Sequence, residues 1–168
     1  MDVFISSELS TYFDQHPMVL VDIGARGGLP GTWKAISRHL QVVGFEPDPE
    51  EHRQLVAAAD PRTTRILNTA LYSRQQRLTL HLTREPGRSS MLLPNLRIVQ
   101  RFPESELFEV TATEAFEADT LDHQLSIAGL ENVDFIKVDT QGTELAILEG
   151  ASHILKDSVL GVEVEVEF

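Results

Sequence analysis

Two carboxylates and a run of glycines carry the first chemical information in this chain. The segment Val19-Leu20-Val21-Asp22-Ile23-Gly24-Ala25-Arg26-Gly27-Gly28 is an apolar run that closes on an acid and then on glycines. A second apolar run, Val42-Val43-Gly44-Phe45, closes on Glu46. The first pattern reads as a buried parallel strand turning toward a helix that starts near Thr32, with glycines that let the backbone approach a ligand closely. Glu46 follows the turn by roughly 20 residues, the spacing at which a strand-tip carboxylate accepts hydrogen bonds from two ribose hydroxyls. A nucleoside cofactor held between Asp22 and Glu46 is the chemistry this spacing predicts. The plain alternative is a strand that merely ends in glycines and an acid.

The glycine spacing separates the cofactors. Dinucleotide oxidoreductases use G-x-G-x-x-G, whose first glycine makes room for a pyrophosphate at a helix N-terminus. Here that first position is Asp22. A carboxylate there faces phosphates unfavourably but holds a cation directly or through water, and the amino acid half of S-adenosylmethionine carries an ammonium group. Charge therefore favours that sulfonium cofactor over NAD.

The elements that must position these residues follow from the pattern after Pro17, which alternates short apolar runs with helical spacing, the signature of βαβ units and a mostly parallel α/β sheet. Trp33, Ile36 and Leu40 share one helical face. Asp48 caps and Pro49 opens the next helix, with Leu55, Val56 and Ala59 turned inward. Arg65 to Leu71 reads as the third strand, and Leu78, Leu80 and Leu82 alternate with polar residues as a half-buried strand does, giving a β-hairpin extension. From Glu85 to Pro103 the density of Pro, Gly and Ser predicts a long surface loop, whose Ser89 and Ser90 either line the pocket entrance or form a plain turn. Val110 to Ala118 resumes a strand pattern, Thr120 caps a helix ended by Gly129, and Val133 to Val138 is the fourth core strand. A helix from about Thr143 supplies Leu145, Ile147, Leu148, Ile154 and Leu155 to the core. At the tail, Val162, Val164, Val166 and Phe168 alternate with Glu163, Glu165 and Glu167, leaving three carboxylates on one face of a strand. The expectation is a sheet whose final strands are missing.

With 168 residues, one domain is expected, assigned to residues 18–168 after an N-terminal extension of residues 1–17. Fourteen basic and twenty-six acidic residues give a net charge of −12, which repels phosphate backbones and argues against nucleic acid or an anionic membrane as partner. The absence of cysteine removes disulfides and thiolate metal sites. His81, His123 and His153 are isolated, so no metal is expected. The start lacks a basic segment followed by an apolar stretch, and no run approaches membrane-spanning length, so a cytoplasmic location is expected.

The assembled segments resemble the FkbM family of class I, Rossmann-like, S-adenosylmethionine-dependent methyltransferases. The most specific stretch is Val133-Asp-Phe-Ile-Lys-Val-Asp-Thr-Gln-Gly-Thr-Glu-Leu-Ala-Ile-Leu-Glu-Gly-Ala151, similar to the family's strand, acid, glycine and helix block. The resemblance implies O-methylation of a sugar or small metabolite. It also implies that Asp22, Gly24, Ala25, Arg26 and Gly28 form the first cofactor loop, that Glu46 takes the ribose hydroxyls, and that Asn68 and Ala70 lie near the adenine. Arg26 stands where many members carry asparagine, and pairs either with Asp22 or with the cofactor carboxylate.

Transfer to a hydroxyl needs a group that takes the acceptor's proton. Asp139 is the leading candidate because it ends a parallel strand on the edge where α/β sheets bind ligands. Gln141 and Glu144 come from the same turn, although Glu144 is more simply a residue complementing a helix dipole. Glu165 either faces the acceptor or belongs to a solvated strand face. The competing functions are a nicotinamide-dependent oxidoreductase and a non-catalytic binding domain.

Overall fold

The computed structural model describes residues 7–166. Five strands form a parallel sheet in the order β3-β2-β1-β7-β8. They are β1 (Met18–Ile23), β2 (Leu40–Phe45), β3 (Thr64–Leu67), β7 (Phe135–Val138) and β8 (Gly161–Val164). The near-continuous apolar runs of β1, β2 and β7 suit strands covered on both faces. On one face Val21, Ile23, Val43, Phe45, Ile136 and Val138 pack with Leu121 and Leu125 of α5 (Leu121–Ala128), Ile147 of α6 (Glu144–Glu149) and Ile154 of α7 (Ile154–Asp157). On the other, Leu20, Leu40 and Val42 pack with Trp33, Ile36 and Phe135. The fold is a Rossmann-like α/β arrangement with a mostly parallel sheet.

A second sheet, ordered β4-β6-β5, contains β4 (Ala70–Leu71), β5 (Gln76–Thr83) and β6 (Val110–Asp119). β5 and β6 make an antiparallel extension after the third strand, but the long segment 84–109 joins them, so the extension is not a tight hairpin. The third strand itself differs from expectation, because Arg65 to Leu71 is divided between the two sheets. At the break Asn68 Nδ2 donates to the carbonyls of Glu46 and Pro47, 2.9 Å each, and beyond it Ala70 and Leu71 pair with Ala118 and Asp119 of β6.

Other expectations need correction. The helix near Thr32 is one turn only, α2 (Gly31–Lys34), followed by a 3-10 turn at Ser37–His39, because Leu40 already pairs with Met18 as the first residue of β2. Trp33, Ile36 and Leu40 nevertheless meet in one cluster. Asp48 caps α3 (Pro49–Ala58) by accepting from the amides of Glu50 and Glu51, but Val56 is exposed. The helix from Thr143 stops at Gly150, where a Cβ would lie 2.2 Å from the Tyr72 carbonyl oxygen. The chain restarts as α7 with Asp122 accepting from the amides of His153 and Ile154. Leu145, expected in the core, is exposed. The long segment between β5 and β6 carries a short helix, α4 (Leu96–Val99).

The acidic tail is not one solvated ladder. Glu163 pairs in register with Lys137 and accepts from Trp33 Nε1 at 2.7 Å, whereas Glu165 borders a cavity described below. Glu167 and Phe168 lie outside the described residues.

Candidate functional site

Parallel pairing in register brings the C-terminal tips of three strands to one edge. Ile23 of β1 pairs with Phe45 of β2 and with Val138 of β7, so Gly24, Glu46 and Asp139 emerge side by side. A cavity of about 300 Å³ opens there, bordered by Gly24, Arg26, Glu46, Ala70, Asp139 and Gln141 among others, with Phe45, Leu71 and Ile147 as apolar wall. Ligands of α/β sheets bind at such an edge.

The glycine loop is shaped by Gly24, whose φ of +76° is a left-handed conformation that favours glycine. Its amide and that of Ala25 both donate to the Phe45 carbonyl at 3.1 Å, which turns the chain sharply over β2. A Cβ at Gly24 would sit 1.8 Å from the Asp139 carbonyl oxygen, so the loop and the Asp139 turn touch backbone to backbone. Gly28 also has a positive φ, +78°, but open space around it.

Asp22 is buried beneath this loop rather than bordering the cavity. Its Oδ1 lies 3.2 Å from the Nζ of Lys137, the residue opposite it on β7. Burial raises the Asp22 pKa and the ammonium beside it opposes that rise. The carboxylate that sequence spacing assigns to a ligand cation is thus already matched by a protein cation. Lys137 was missed in the sequence, although a lysine within the apolar run Phe135-Ile136-Lys137-Val138 is itself a signal, since a covered strand buries lysine only against a counter-charge.

Glu46 is 4 % exposed and borders the cavity, with its Oε1 accepting from the Asp48 amide at 2.9 Å. Arg26 does not pair with Asp22, the protein partner considered for it from the sequence. Its guanidinium reaches Asp48 at 2.7 Å and Glu51 at 3.2 Å, and stands 4.0 Å from Glu46, while Glu51 also accepts from the Gly27 amide. The loop is thereby clamped to the start of α3. Burial raises the Glu46 pKa, with the Asp48 amide and Arg26 opposing. Neither Ala25, Gly28 nor Asn68 borders the cavity; Asn68 acts behind it, holding the Glu46 and Pro47 carbonyls.

Asp139 and Gln141 occupy the opposite wall. The Asp139 amide donates to the Ile23 carbonyl at 3.0 Å, and Gln141 Nε2 donates to Asp139 Oδ1 at 3.3 Å. Gln141 has φ +60°, a left-handed conformation that costs a residue with a side chain about 1 kcal/mol, held here by the contacts around it. Glu144 folds back to accept from the amides of Thr140 and Gly142, closing the start of α6.

The long segment reaches this wall through Ser90, whose hydroxyl donates to the Gln141 carbonyl and accepts from the Leu92 amide. Ser90 is anchored in turn by backbone bonds with His81, and Ser89 borders the cavity. Ser90→Ala should therefore cost about 1 kcal/mol of stability and speed amide exchange around Leu92, measured by denaturant melts and hydrogen exchange; unchanged exchange there would remove the tether.

The family model described as methyltransferase FkbM domain matches residues 22–168. The crystal structure of methyltransferase FkbM from Methylobacillus flagellatus KT is similar at a TM-score of 0.50 and 17% identity, over 83% of this chain and 30% of that one. At that identity the likeness concerns the fold, and the chain spans about 30% of the length of that relative. No curated protein sequence matches.

Proposed function

The chain belongs to the FkbM methyltransferase family, and from that premise we propose that it is an S-adenosylmethionine-dependent methyltransferase acting on a hydroxyl oxygen of a sugar or small metabolite. The observation that carries this reading is the meeting of Gly24, Glu46 and Asp139 around one cavity at the tips of adjacent parallel strands. The residues suit the cofactor: the Gly24 turn leaves backbone bare, Glu46 offers a buried carboxylate to ribose hydroxyls, and the cavity border carries three carboxylates, Glu46, Asp139 and Glu165, against one guanidinium, that of Arg26. Ala70 lies on the adenine side, and Asn68 supports that side by fixing the carbonyls next to Glu46.

When bound, the sulfonium supplies an activated methyl group. The chain's part is to hold donor and acceptor in attacking geometry and to take the hydroxyl proton. Asp139 takes that proton, and Gln141, donating to its Oδ1, orients the carboxylate. The excess of carboxylates on the border and the net charge of −12 disfavour pyrophosphate and nucleic acid. No helix among the described residues is long and apolar enough to cross a membrane, and a cytoplasmic location belongs to the proposal.

Glu46→Gln separates binding from folding. A carboxyl whose folded pKa is raised contributes stability that is fully present below its ordinary pKa and lost as pH rises through the raised value. The glutamine variant lacks that loss and keeps an oxygen for the Asp48 amide. It should be at least as stable as the parent at neutral pH, yet bind S-adenosylmethionine about 1–3 kcal/mol more weakly. Thermal melts at acid and neutral pH and titration calorimetry measure the two effects; equal affinity would exclude Glu46 from the site. A non-catalytic cofactor-binding domain would share this result but show no methyl transfer to a panel of glycans and metabolites.

A further inference from the structure

Lys137 does more than balance a buried charge. It stands between Asp22 on β1 and Glu163 on β8 in a row across the sheet, and Asp139, two residues later, projects from the same side. Its Nζ lies 3.2 Å from Asp22 Oδ1 and 3.4 Å from Asp139 Oδ2, and it donates a hydrogen bond to the Gly24 carbonyl at 3.2 Å. Asp22 alone would neutralise a lysine that is 7 % exposed. The contact with Asp22 is nevertheless out of hydrogen-bond alignment, since Oδ1 has no hydrogen-bond partner among the described residues, and the directed bond goes to Gly24. Gly24 and Asp139 both border the cavity, one on the glycine loop and one on the opposite wall.

We propose that Lys137 is a positioning residue that locks the glycine loop and the Asp139 turn into one unit, so that cofactor and acceptor-side groups keep a fixed relation. Its ammonium holds the Gly24 carbonyl by a hydrogen bond and the Asp139 carboxylate by charge, and neither contact is needed to neutralise Asp22. The ligand arm of the test rests on the methyltransferase reading; the exchange arm does not.

Lys137→Met alone strands a buried Asp22 carboxylate and can fail to fold. The informative pair is Asp22→Asn and Asp22→Asn/Lys137→Met, which share the loss of the Asp22 charge and differ only in the lysine. In the double variant, amide exchange at Gly24, Ala25 and Asp139 should be at least about tenfold faster than in Asp22→Asn, with Val43 in the sheet unaffected. S-Adenosylhomocysteine affinity by calorimetry should fall by at least about tenfold between the same two proteins. Equal exchange at those three amides in the two variants would overturn the proposal. Should the parent protein fail to bind S-adenosylhomocysteine, the cofactor assignment falls, and the exchange comparison still decides the role of Lys137.

Discussion

Gly24→Val is expected to lose about 3 kcal/mol or more of stability, a fall in Tm of about 6–12 °C for a chain of this size, and with it all measurable binding of S-adenosylmethionine. Two causes act together. The backbone at Gly24 is left-handed, which costs a β-branched residue about 1–2 kcal/mol, and the new Cβ would stand 1.8 Å from the Asp139 carbonyl oxygen. That obstacle is backbone, so it cannot rotate away; the glycine loop and the Asp139 turn must separate. Gly28→Ala is the control, because Gly28 has a similar positive φ and nothing within 4 Å of a new Cβ. It should cost only about 1–2 kcal/mol. Scanning calorimetry and ligand titration on the two variants measure the difference, and equal losses would show that close approach at Gly24 does not shape the site.

Asp139→Asn should lower kcat for methylation of a hydroxyl acceptor by about 10²–10⁴, while S-adenosylhomocysteine binding is retained and weakened by no more than about tenfold through the lost charge contact with Lys137. The side chain is 29% exposed, so its amide counterpart is tolerated, and the Gln141 donor to Oδ1 keeps an oxygen to meet. What disappears is the group that accepts the proton, together with its charge contact to Lys137. Gln141→Ala should produce a smaller fall, since it removes only the orienting bond and relieves none of the left-handed strain. Steady-state kinetics check both. Full activity in Asp139→Asn would move the proton acceptor elsewhere, with Glu165 on the same cavity as the next candidate.

Much of the sheet was legible in the sequence because its parallel strands are covered on both faces. Val19 to Ile23 and Val42 to Phe45 are apolar runs that contain or precede an acid, and Gly24 and Glu46 lie where these strands emerge at the edge that borders the cavity. Helices with local stop and start signals were equally plain: Asp48 with Pro49 before α3, and Thr120 with Gly129 around α5, act through bonds within a few residues. Features that depend on distant partners were not. The division of Arg65 to Leu71 between two sheets is set by β6, some fifty residues onward, and by Asn68 reaching back to Glu46 and Pro47. The close approach of Gly150 to the Tyr72 carbonyl lies outside any local pattern, and Val56 and Leu145 are exposed although helical spacing predicts them turned inward.

The site divides in the same way. The meeting of Gly24, Glu46 and Asp139 at one cavity was legible because each follows a strand, and strand ends are visible in sequence. Ser90 was legible as a pocket-entrance or turn residue, but not as a tether, since its bond to the Gln141 carbonyl spans 51 positions. Arg26 and Lys137 show the limit most clearly. Each is a lone cation beside acids, and only the folded arrangement reveals that Arg26 clamps Asp48 and Glu51 while Lys137 balances the charge of Asp22. An acid counted as a ligand for a cofactor cation thus becomes a support beneath the loop that would hold the cofactor.

Titration calorimetry of the parent protein with S-adenosylhomocysteine, S-adenosylmethionine and NAD tests the central claim most directly. Saturable binding of the two adenosyl ligands at one site per chain, weakened in Glu46→Gln and absent in Gly24→Val, is the predicted result. Binding of NAD with no heat from either adenosyl ligand would contradict it.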